Sequence, residues 1–252
     1  MSTGGRVDPK SAHRQVHADT EFRNLIKDKD VSALQKYVEL VFGRPSLWGL
    51  FWYELRLLLL SNMPGALGIV LRKILFKGMF AAIGSGVVIG RGVTLRHPHR
   101  IRLGNGVIID DYAVLDGKGN RPVTIDIGPD CIIGRNTVLS CKQQLDEPSG
   151  LIILQSEVNI SVNCTLLSET SQTIGEKVLI AGHCYIIAGG NHGLDQLDVP
   201  IVDQPRVHKG GVSIGGGSWL GASSVLLDCT IIGQNAMVAA GAVVIGTVEA
   251  HT

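Results

Sequence analysis

A six-residue hydrophobic period in the second part of the chain is the feature that most limits its fold. Six aliphatic residues follow one another at this spacing: Ile214, Leu220, Leu226, Ile232, Val238 and Val244. Shorter runs lie upstream: Ile83, Ile89, Leu95, Ile101 and Val107; Ile127, Ile133 and Leu139; Leu154, Ile160 and Leu166; Ile174, Ile180 and Ile186. An α-helix repeats about every 3.6 residues and a strand about every two, so neither explains the period.

The period indicates a chain that turns a corner after every sixth residue. One aliphatic side chain per side points into a narrow interior, and three sides close a triangular coil of about 18 residues. Stacked coils then share an aliphatic core with no room for rings. The composition agrees, because 25 of the 32 glycines but only three of the twelve aromatic residues follow residue 80. We therefore predict a mainly β, coiled domain over residues 81–252.

Residues 1–80 have a different composition and predict a flexible arm followed by an α-helical region. The arm covers about residues 1–20, and helices are expected at 31–42, with Asp30 as N-cap, at 47–60 and at 67–80. The second helix is apolar nearly all round, so it must be covered. It either caps the open end of the coil or contacts a membrane surface, since its apolar stretch is short of the ~20 residues of a membrane span.

Charge and cysteine content exclude several classes of protein. The chain has 23 Lys and Arg against 22 Asp and Glu, a net charge of +1, which does not favour a nucleic-acid partner. Its five cysteines form no Cys-x-x-Cys pair, so we expect small, reduced core residues. With no signal sequence at the polar N-terminus, the expected location is cytoplasmic.

The hydrophobic period changes phase at three main places, near residues 116–123, 142–151 and 188–211. A change of phase requires additional residues, which we expect to form loops outside the coil. The longest of these, at about 188–211, is the strongest candidate for a functional loop, because loops on a rigid scaffold tend to carry function.

The repeat and the motifs near the long loop resemble the hexapeptide-repeat acyltransferases, which fold as a left-handed parallel β-helix. The likeness covers about residues 81–252. Asn191-His192-Gly193-Leu194-Asp195, Pro200 and the segment Val212-x-Ile214-Gly215-x-x-x-Trp219-Leu220-Gly221-Ala222 resemble the branch that O-acetylates sugars, polysaccharide precursors and some antibiotics. The resemblance implies a homotrimer, acetyl-CoA as acyl donor, a saccharide or small-molecule acceptor and no metal.

His192 is the residue predicted to be catalytic. Acyl transfer to a hydroxyl needs a base that titrates near the working pH, and histidine has an ordinary pKa of about 6.5. Spacing alone leaves a surface loop histidine as the alternative. The resemblance assigns His192 the role of general base.

The resemblance also assigns binding residues. The acyl-CoA contacts would be Trp219, Gly221, Ala222, Ala239 and Ala240, and the Ala222 N–H could also stabilise the oxyanion. The acceptor contacts would be Asn163, Asn191, Asp195 and Asp111. The residues by themselves leave plainer alternatives open, because β-helix corners need small residues and an asparagine at a corner often adopts the left-handed conformation.

Other functions remain possible at this point. The same fold serves an N-acyltransferase that acts on an amino-sugar, and it serves as a non-catalytic trimeric scaffold, because a fold does not imply an activity. His97 and His99 form an i, i+2 pair without a third ligand, which is weak evidence for zinc.

Overall fold

The computed structural model describes residues 25–142, 150–207 and 209–252, so the predicted arm at 1–20 lies outside the described residues. The predicted fold class is confirmed: the chain is a left-handed parallel β-helix of triangular coils, preceded by an α-helical region. The β-helix begins with a strand at Ala82–Ile83, next to the change of composition.

Three parallel sheets form the three sides of the triangle. The first contains β1 Ala82–Ile83, β4 Ile101–Leu103, β7 Ile125–Ile127, β10 Leu151–Leu154, β13 Ser171–Ile174, β18 Val212–Ile214, β21 Thr230–Ile232 and β24 Thr247–Val248. The second contains β2 Val88–Ile89, β5 Ile108–Ile109, β8 Ile132–Ile133, β11 Asn159–Ile160, β14 Leu179–Ile180, β19 Trp219–Leu220 and β22 Met237–Val238. The third contains β3 Thr94–Arg96, β6 Val114–Asp116, β9 Val138–Cys141, β12 Thr165–Ser168, β15 Tyr185–Ala188, β20 Val225–Leu226 and β23 Val243–Val244.

The periodic aliphatic residues form the interior, as predicted. All of them are buried except the two at the ends, Ile83 and Val244, which are partly buried. The predicted register is wrong in one place: Ile83 pairs with Leu103 rather than with Ile101. Two additional residues in the turn after Leu95 displace the inward position, while Ile101 and Val107 stay buried beside it. A similar short shift occurs at residues 169–170.

The corners follow a second rule that the sequence analysis did not use. The third residue after many inward positions has a positive φ, for example Asn136, Asn163 and His183 at 57°, 57° and 64°. The fourth is small and buried, which explains Cys164 and Cys184. All five cysteines are free, and burial raises the pKa of the Cys131 thiol to about 11. Four of the cysteines, Cys131, Cys141, Cys164 and Cys184, are buried packing residues, as expected, whereas Cys229 is only partly buried.

The helices lie close to their predicted positions. They are α1 Ala33–Tyr37, continued by a π-helix Val38–Phe42, then α2 Leu47–Leu60 and α3 Gly65–Leu75. Short 3₁₀ turns follow at Lys77–Met79, Pro98–Arg100 and Ile201–Asp203. The predicted N-cap Asp30 is wrong: Ser32 caps α1 through a reciprocal capping box with Gln35.

The helices cover the first coil of the β-helix. Buried Arg72 of α3 donates from Nε to the Ile89 carbonyl at 2.9 Å, and the Tyr53 hydroxyl of α2 donates to the Leu95 carbonyl. The Gly92 N–H donates to the Ser61 carbonyl. Strand groups that a further coil would otherwise use are thus paired, which is what an open β-helix end requires. Within the described ranges, no helix is long and apolar enough to cross a bilayer.

Candidate active site

All the irregular segments leave the coil at the same corner. The inward residues that pair along the first sheet are Ile83, Leu103, Ile127, Leu154, Ile174, Ile214, Ile232 and Val248. Successive members of this series are 20, 24, 27, 20, 40, 18 and 16 residues apart in the chain. From the first sheet to the second, and from the second to the third, the inward positions stay six residues apart. The additional residues therefore lie between the third sheet and the first, at what we term the loop corner.

The longest segment of the loop corner carries His192. Strand β16, Asn191–His192, pairs antiparallel with β17, Arg206–Val207, and these strands form the base of the loop. The half-buried His192 ring has its Nδ1 3.3 Å from the Gln204 carbonyl oxygen. Because a carbonyl only accepts, Nδ1 carries the proton of the neutral ring, and Nε2 has the lone pair that a general base needs.

Gln204 holds the loop in this shape. Its side chain is buried, and its Nε2 donates to the carbonyls of Gln196 and Val199, each at 2.9 Å. The Gly193 N–H donates to the Pro205 carbonyl at 2.7 Å. The segment is therefore a folded unit in which the position of His192 depends on backbone contacts.

A buried carboxylate joins three segments of the loop corner. Glu169 accepts from Lys142 Nζ at 2.6 Å, from an Arg206 NH group at 2.9 Å and from the Gly190 N–H at 2.8 Å. It is only 1% exposed. Since Arg206 pairs with His192 across these strands, the network holds the strand pair from which the His192 loop extends. The sequence analysis missed Glu169, whose separation of 37 residues from Arg206 gives no local signal.

A second buried carboxylate holds the other side of the loop. Asp228 accepts from the Asn191 side-chain amide at 2.7 Å and from the N–H groups of Lys209 and Gly211 at 3.0 and 2.8 Å. The Asn191 amide, predicted to contact the acceptor, is therefore engaged in anchoring the loop. The prediction could not foresee this because the partner lies in the following coil.

The predicted acyl-CoA residues lie on the second sheet and at its corner with the third. Trp219 points outward and is 50% exposed, and Leu179 and Met237 flank it in register on the neighbouring strands. Ala222, Ala239 and Ala240 are exposed beside it. Together they form an apolar ridge with small residues at its edge.

Gly221 departs from the predicted cofactor contact. It is buried, and a Cβ at this position would lie 2.5 Å from the Ala240 backbone nitrogen. Its missing side chain is therefore needed for the stacking of coils. By contrast, no hydrogen bond among the described residues uses the Ala222 N–H, which leaves this group accessible to a ligand.

Of the remaining predicted acceptor residues, Asn163 and Asp111 lie at a different corner of the coil from His192, and only Asp195 lies in the same loop. Asn163 is at the corner between the second and third sheets, where its side chain accepts from Asn136 at 3.2 Å and its Nδ2 lies 3.5 Å from His183 Nε2. Asp111 accepts from the Arg91 N–H at 2.7 Å, which stabilises an early corner. Asp195 is exposed in the same loop as His192.

The two neighbouring histidines that might suggest a metal have other contacts. His97 is buried, with Nε2 3.0 Å from the Glu39 carbonyl and Nδ1 3.5 Å from Asp116. The part of the chain that the structure describes contains no group of three or more His, Cys, Asp or Glu side chains able to hold a metal ion.

Two curated proteins match the chain. It is 30% identical over 156 residues to a protein named as the acetyltransferase Rv3034c of Mycobacterium tuberculosis, covering 61% of this chain and 50% of that protein. It is 32% identical over 109 residues to one named as the lipopolysaccharide biosynthesis O-acetyl transferase WbbJ of Escherichia coli, covering 41% of this chain and 55% of that protein. The chain thus spans about half the length of these relatives.

Among solved structures, a mutant of AntD, an N-acyltransferase from Bacillus cereus in complex with dTDP and coenzyme A, is 18% identical, with a TM-score of 0.47. The match covers 71% of this chain and 81% of that one. No family model matches the sequence. The resemblance to acyltransferases is confirmed by the curated relatives, both of which are named as acetyltransferases.

Proposed function

We propose that the protein is an acetyl-CoA-dependent O-acetyltransferase whose acceptor is the hydroxyl of a sugar, a saccharide precursor or a hydroxylated metabolite. The observation that carries the proposal is the Nδ1 contact of His192 with the Gln204 carbonyl, which keeps the proton of the neutral ring on Nδ1 and the basic lone pair on Nε2. The curated relatives support acetyl transfer, and the name of one of them supports an oxygen acceptor.

In the proposed reaction, His192 Nε2 removes the proton from the acceptor hydroxyl while its oxygen attacks the thioester carbonyl. The tetrahedral intermediate collapses with cleavage of the carbon–sulfur bond, and the CoA thiolate recovers the proton from the imidazolium. The Ala222 N–H is the proposed donor to the oxyanion, since it is exposed and has no partner among the described residues. Rate enhancement then depends on positioning and on this electrostatic contact.

The site is proposed to form between subunits of a homotrimer. Within one chain, His192 lies at the loop corner between the third and first sheets, whereas Trp219 lies on the second sheet and Ala222 at the corner between the second and third sheets. A neighbouring copy in a ring would bring its own ridge beside the loop and cover Trp219. In this arrangement Asn163 and Asp195 are the proposed acceptor contacts. Light scattering should give three times the chain mass, and a monomer would contradict the intersubunit site.

The decisive experiment measures CoA release, corrected for hydrolysis, over a panel of sugars, lipid-linked saccharides, hydroxylated metabolites and amino-sugars. His192→Ala should lower the rate on the best acceptor by roughly 10²–10⁴, about 3–5 kcal/mol, with unchanged CoA binding by thermal shift. His251→Asn is the matched control, because His251 is exposed with φ 61°, which asparagine tolerates.

Two results would overturn the proposal. If His192→Ala keeps wild-type turnover, the assigned base is wrong and His183 is the next candidate. If the protein releases no CoA with any acceptor and CoA does not raise its melting temperature, a trimeric scaffold replaces the enzyme. Selective turnover of amino-sugars would replace O-acetylation by N-acylation.

A further inference from the structure

Helix α2 has two apolar faces, and only one of them packs on the β-helix. Leu50, Tyr53 and Leu60 are buried on the inner side. The other side, together with α3, exposes a surface that we term the outer helical face, and its residues are Trp48, Phe51, Trp52, Leu58, Leu67 and Ile74. Their exposed fractions run from 41% to 80%. Such a large exposed apolar surface marks a site of interaction.

The aromatic members of the outer helical face form a compact cluster. The Trp48 ring stacks on Phe51 and meets Trp52 edge-on, with centroids 5.6 Å apart in both pairs. Tryptophan has an apolar body and a polar N–H, so it is favoured where hydrocarbon meets water. Two of the three tryptophans of the chain lie here.

The charge around this face is strongly asymmetric. Residues 44–80 contain four exposed or partly exposed cations, Arg44, Arg56, Lys73 and Lys77, and one carboxylate, Glu54, whereas Arg72 is buried against the β-helix. The Glu54 carboxylate accepts a hydrogen bond from the Tyr37 hydroxyl. Because the whole chain carries only +1, positive charge is concentrated beside the apolar face. An apolar, aromatic helix face with flanking cations is typical of segments that lie in the interface of an anionic membrane.

A cavity of about 200 Å³ opens beside the aromatic cluster and is suited to a phosphate group. Arg44, Arg56, Trp52 and His99 are among its lining residues. Arg100 Nε donates to His99 Nε2 at 3.3 Å, so the neutral ring carries its proton on Nδ1. That buried Nδ1 has no hydrogen-bond partner in the described part of the chain. The cavity lining therefore offers two guanidinium groups, those of Arg44 and Arg56, to an anion.

The field in this cavity is positive. Burial, and to a smaller extent the nearby cations Arg44 and Arg100, lower the pKa of His99 to about 4. The ring is consequently neutral at physiological pH, and a bound anion would relieve the repulsion between the surrounding cations.

We propose that the outer helical face docks the protein onto an anionic phospholipid bilayer, with the aromatic cluster in the interface and a lipid phosphate beside Arg44 and Arg56. A second copy fits this face less well, because a two-fold contact would bring two positively charged regions together. The inference goes beyond acyl transfer and does not depend on it. It would place the protein beside acceptors held at a membrane surface.

The test is sedimentation of the full chain with vesicles of phosphatidylcholine, with and without phosphatidylglycerol. The anionic vesicles should bind the protein, and salt should weaken the binding. The double variant Trp48→Ser/Phe51→Ser should bind at least about tenfold more weakly. Ile231→Ser is the matched control, since Ile231 and Phe51 are both 52% exposed, and it should bind like the wild type.

A second pair of variants tests the phosphate site. Arg44→Gln/Arg56→Gln should lose most of the preference for phosphatidylglycerol, roughly fivefold in affinity per cation removed. Arg102→Gln/Arg135→Gln removes the same charge from the β-helix and should keep the preference. Circular dichroism and melting curves on every variant separate lost binding from lost folding.

Three outcomes would overturn the proposal. The first is that the wild type binds neither kind of vesicle. The second is that Trp48→Ser/Phe51→Ser leaves vesicle binding unchanged. If the wild type does not bind vesicles and the double variant has a lower mass by light scattering than the wild type, the face is an interface between copies. The third is a melting temperature raised by inorganic phosphate without any vesicle binding, which would indicate a soluble anion as the ligand.

Discussion

Two corners of the triangular coil keep strict spacing, whereas the loop corner accepts segments of any length. The inward positions on either side of the first two corners are always six residues apart. At the loop corner the coil length varies from 16 to 40 residues. An insertion there leaves all three sheets in register if the chain returns in phase. The β-helix thus confines variation in chain length to one corner: two corners keep the core in register, and the third presents long segments such as the one that carries His192.

The loops are also stacked, which the shared corner makes possible. Glu169 contacts Lys142 in one segment and Arg206 in another, each through an ion pair. Loops that left from different corners could not support one another in this way. The position of the candidate base therefore depends on neighbouring coils.

The largest effect is expected from moving an insertion between corners. A Gly-Ser insertion after Asn163 interrupts a six-residue corner and displaces every later inward residue, so little folded protein should form. The same insertion after Asp198, at the exposed tip of the long loop, should change the melting temperature by only about 2–4 °C. Circular dichroism melting curves measure both. Comparable losses at the two positions would remove the distinction between the corners.

A core truncation sharpens the same contrast without changing the chain length. Leu166 is fully buried in β12, and Leu166→Ala should cost about 2–5 kcal/mol of unfolding free energy because a cavity remains. Leu197, 95% exposed in the loop, is the control, and Leu197→Ala should change stability by less than about 0.5 kcal/mol. Urea unfolding gives both values. A small effect at Leu166 would mean that the coil repacks.

Removing the carboxylate that joins the loops should affect activity more than folding. Glu169→Gln keeps the shape of the side chain but removes the buried negative charge that pairs with Arg206 and Lys142, which we expect to cost about 2 kcal/mol. Acyl transfer should slow while CoA binding persists, because the strand pair that supports the His192 loop becomes less stable. Asp126→Asn, which removes the partner of exposed Arg102, is the control. Equal kinetics for the two variants would give Glu169 no positioning role.

The smallest effect is expected at Asn163. Its φ of 57° makes alanine strained, so Asn163→Gly removes the side chain without this cost. If the amide contacts the acceptor, the acceptor KM should rise by several-fold with little change in kcat. Asn235→Gly, at a different corner and also with a positive φ, 53°, is the matched control. A shift in kcat with unchanged KM would contradict an acceptor contact.

The fold could be predicted from sequence because its periodicity is local. Six-residue spacing of Ile, Leu and Val identifies the coil, and breaks in phase identify the longer loops. The two-residue shift after Leu95 was missed because Ile101 and Leu103 are both aliphatic, and either choice preserves a hydrophobic pattern. The α1 cap was misplaced by two residues because Asp30 and Ser32 are both good N-caps, and only the reciprocal bond to Gln35 decides between them.

The candidate site depends on information of another kind. The sequence by itself determined the triangular coil, the position of the long loop and His192 as the residue whose chemistry suits a base. Only the tertiary structure decided that Asn191 binds Asp228, that Glu169 anchors Arg206 and that Gly221 is required for packing. It also placed His192 at the loop corner and Trp219 on the second sheet, on a different side of the triangular coil. The physical reason is that a hydrophobic period repeats within one coil, whereas a buried ion pair or a close backbone contact joins coils at separations that no local pattern records.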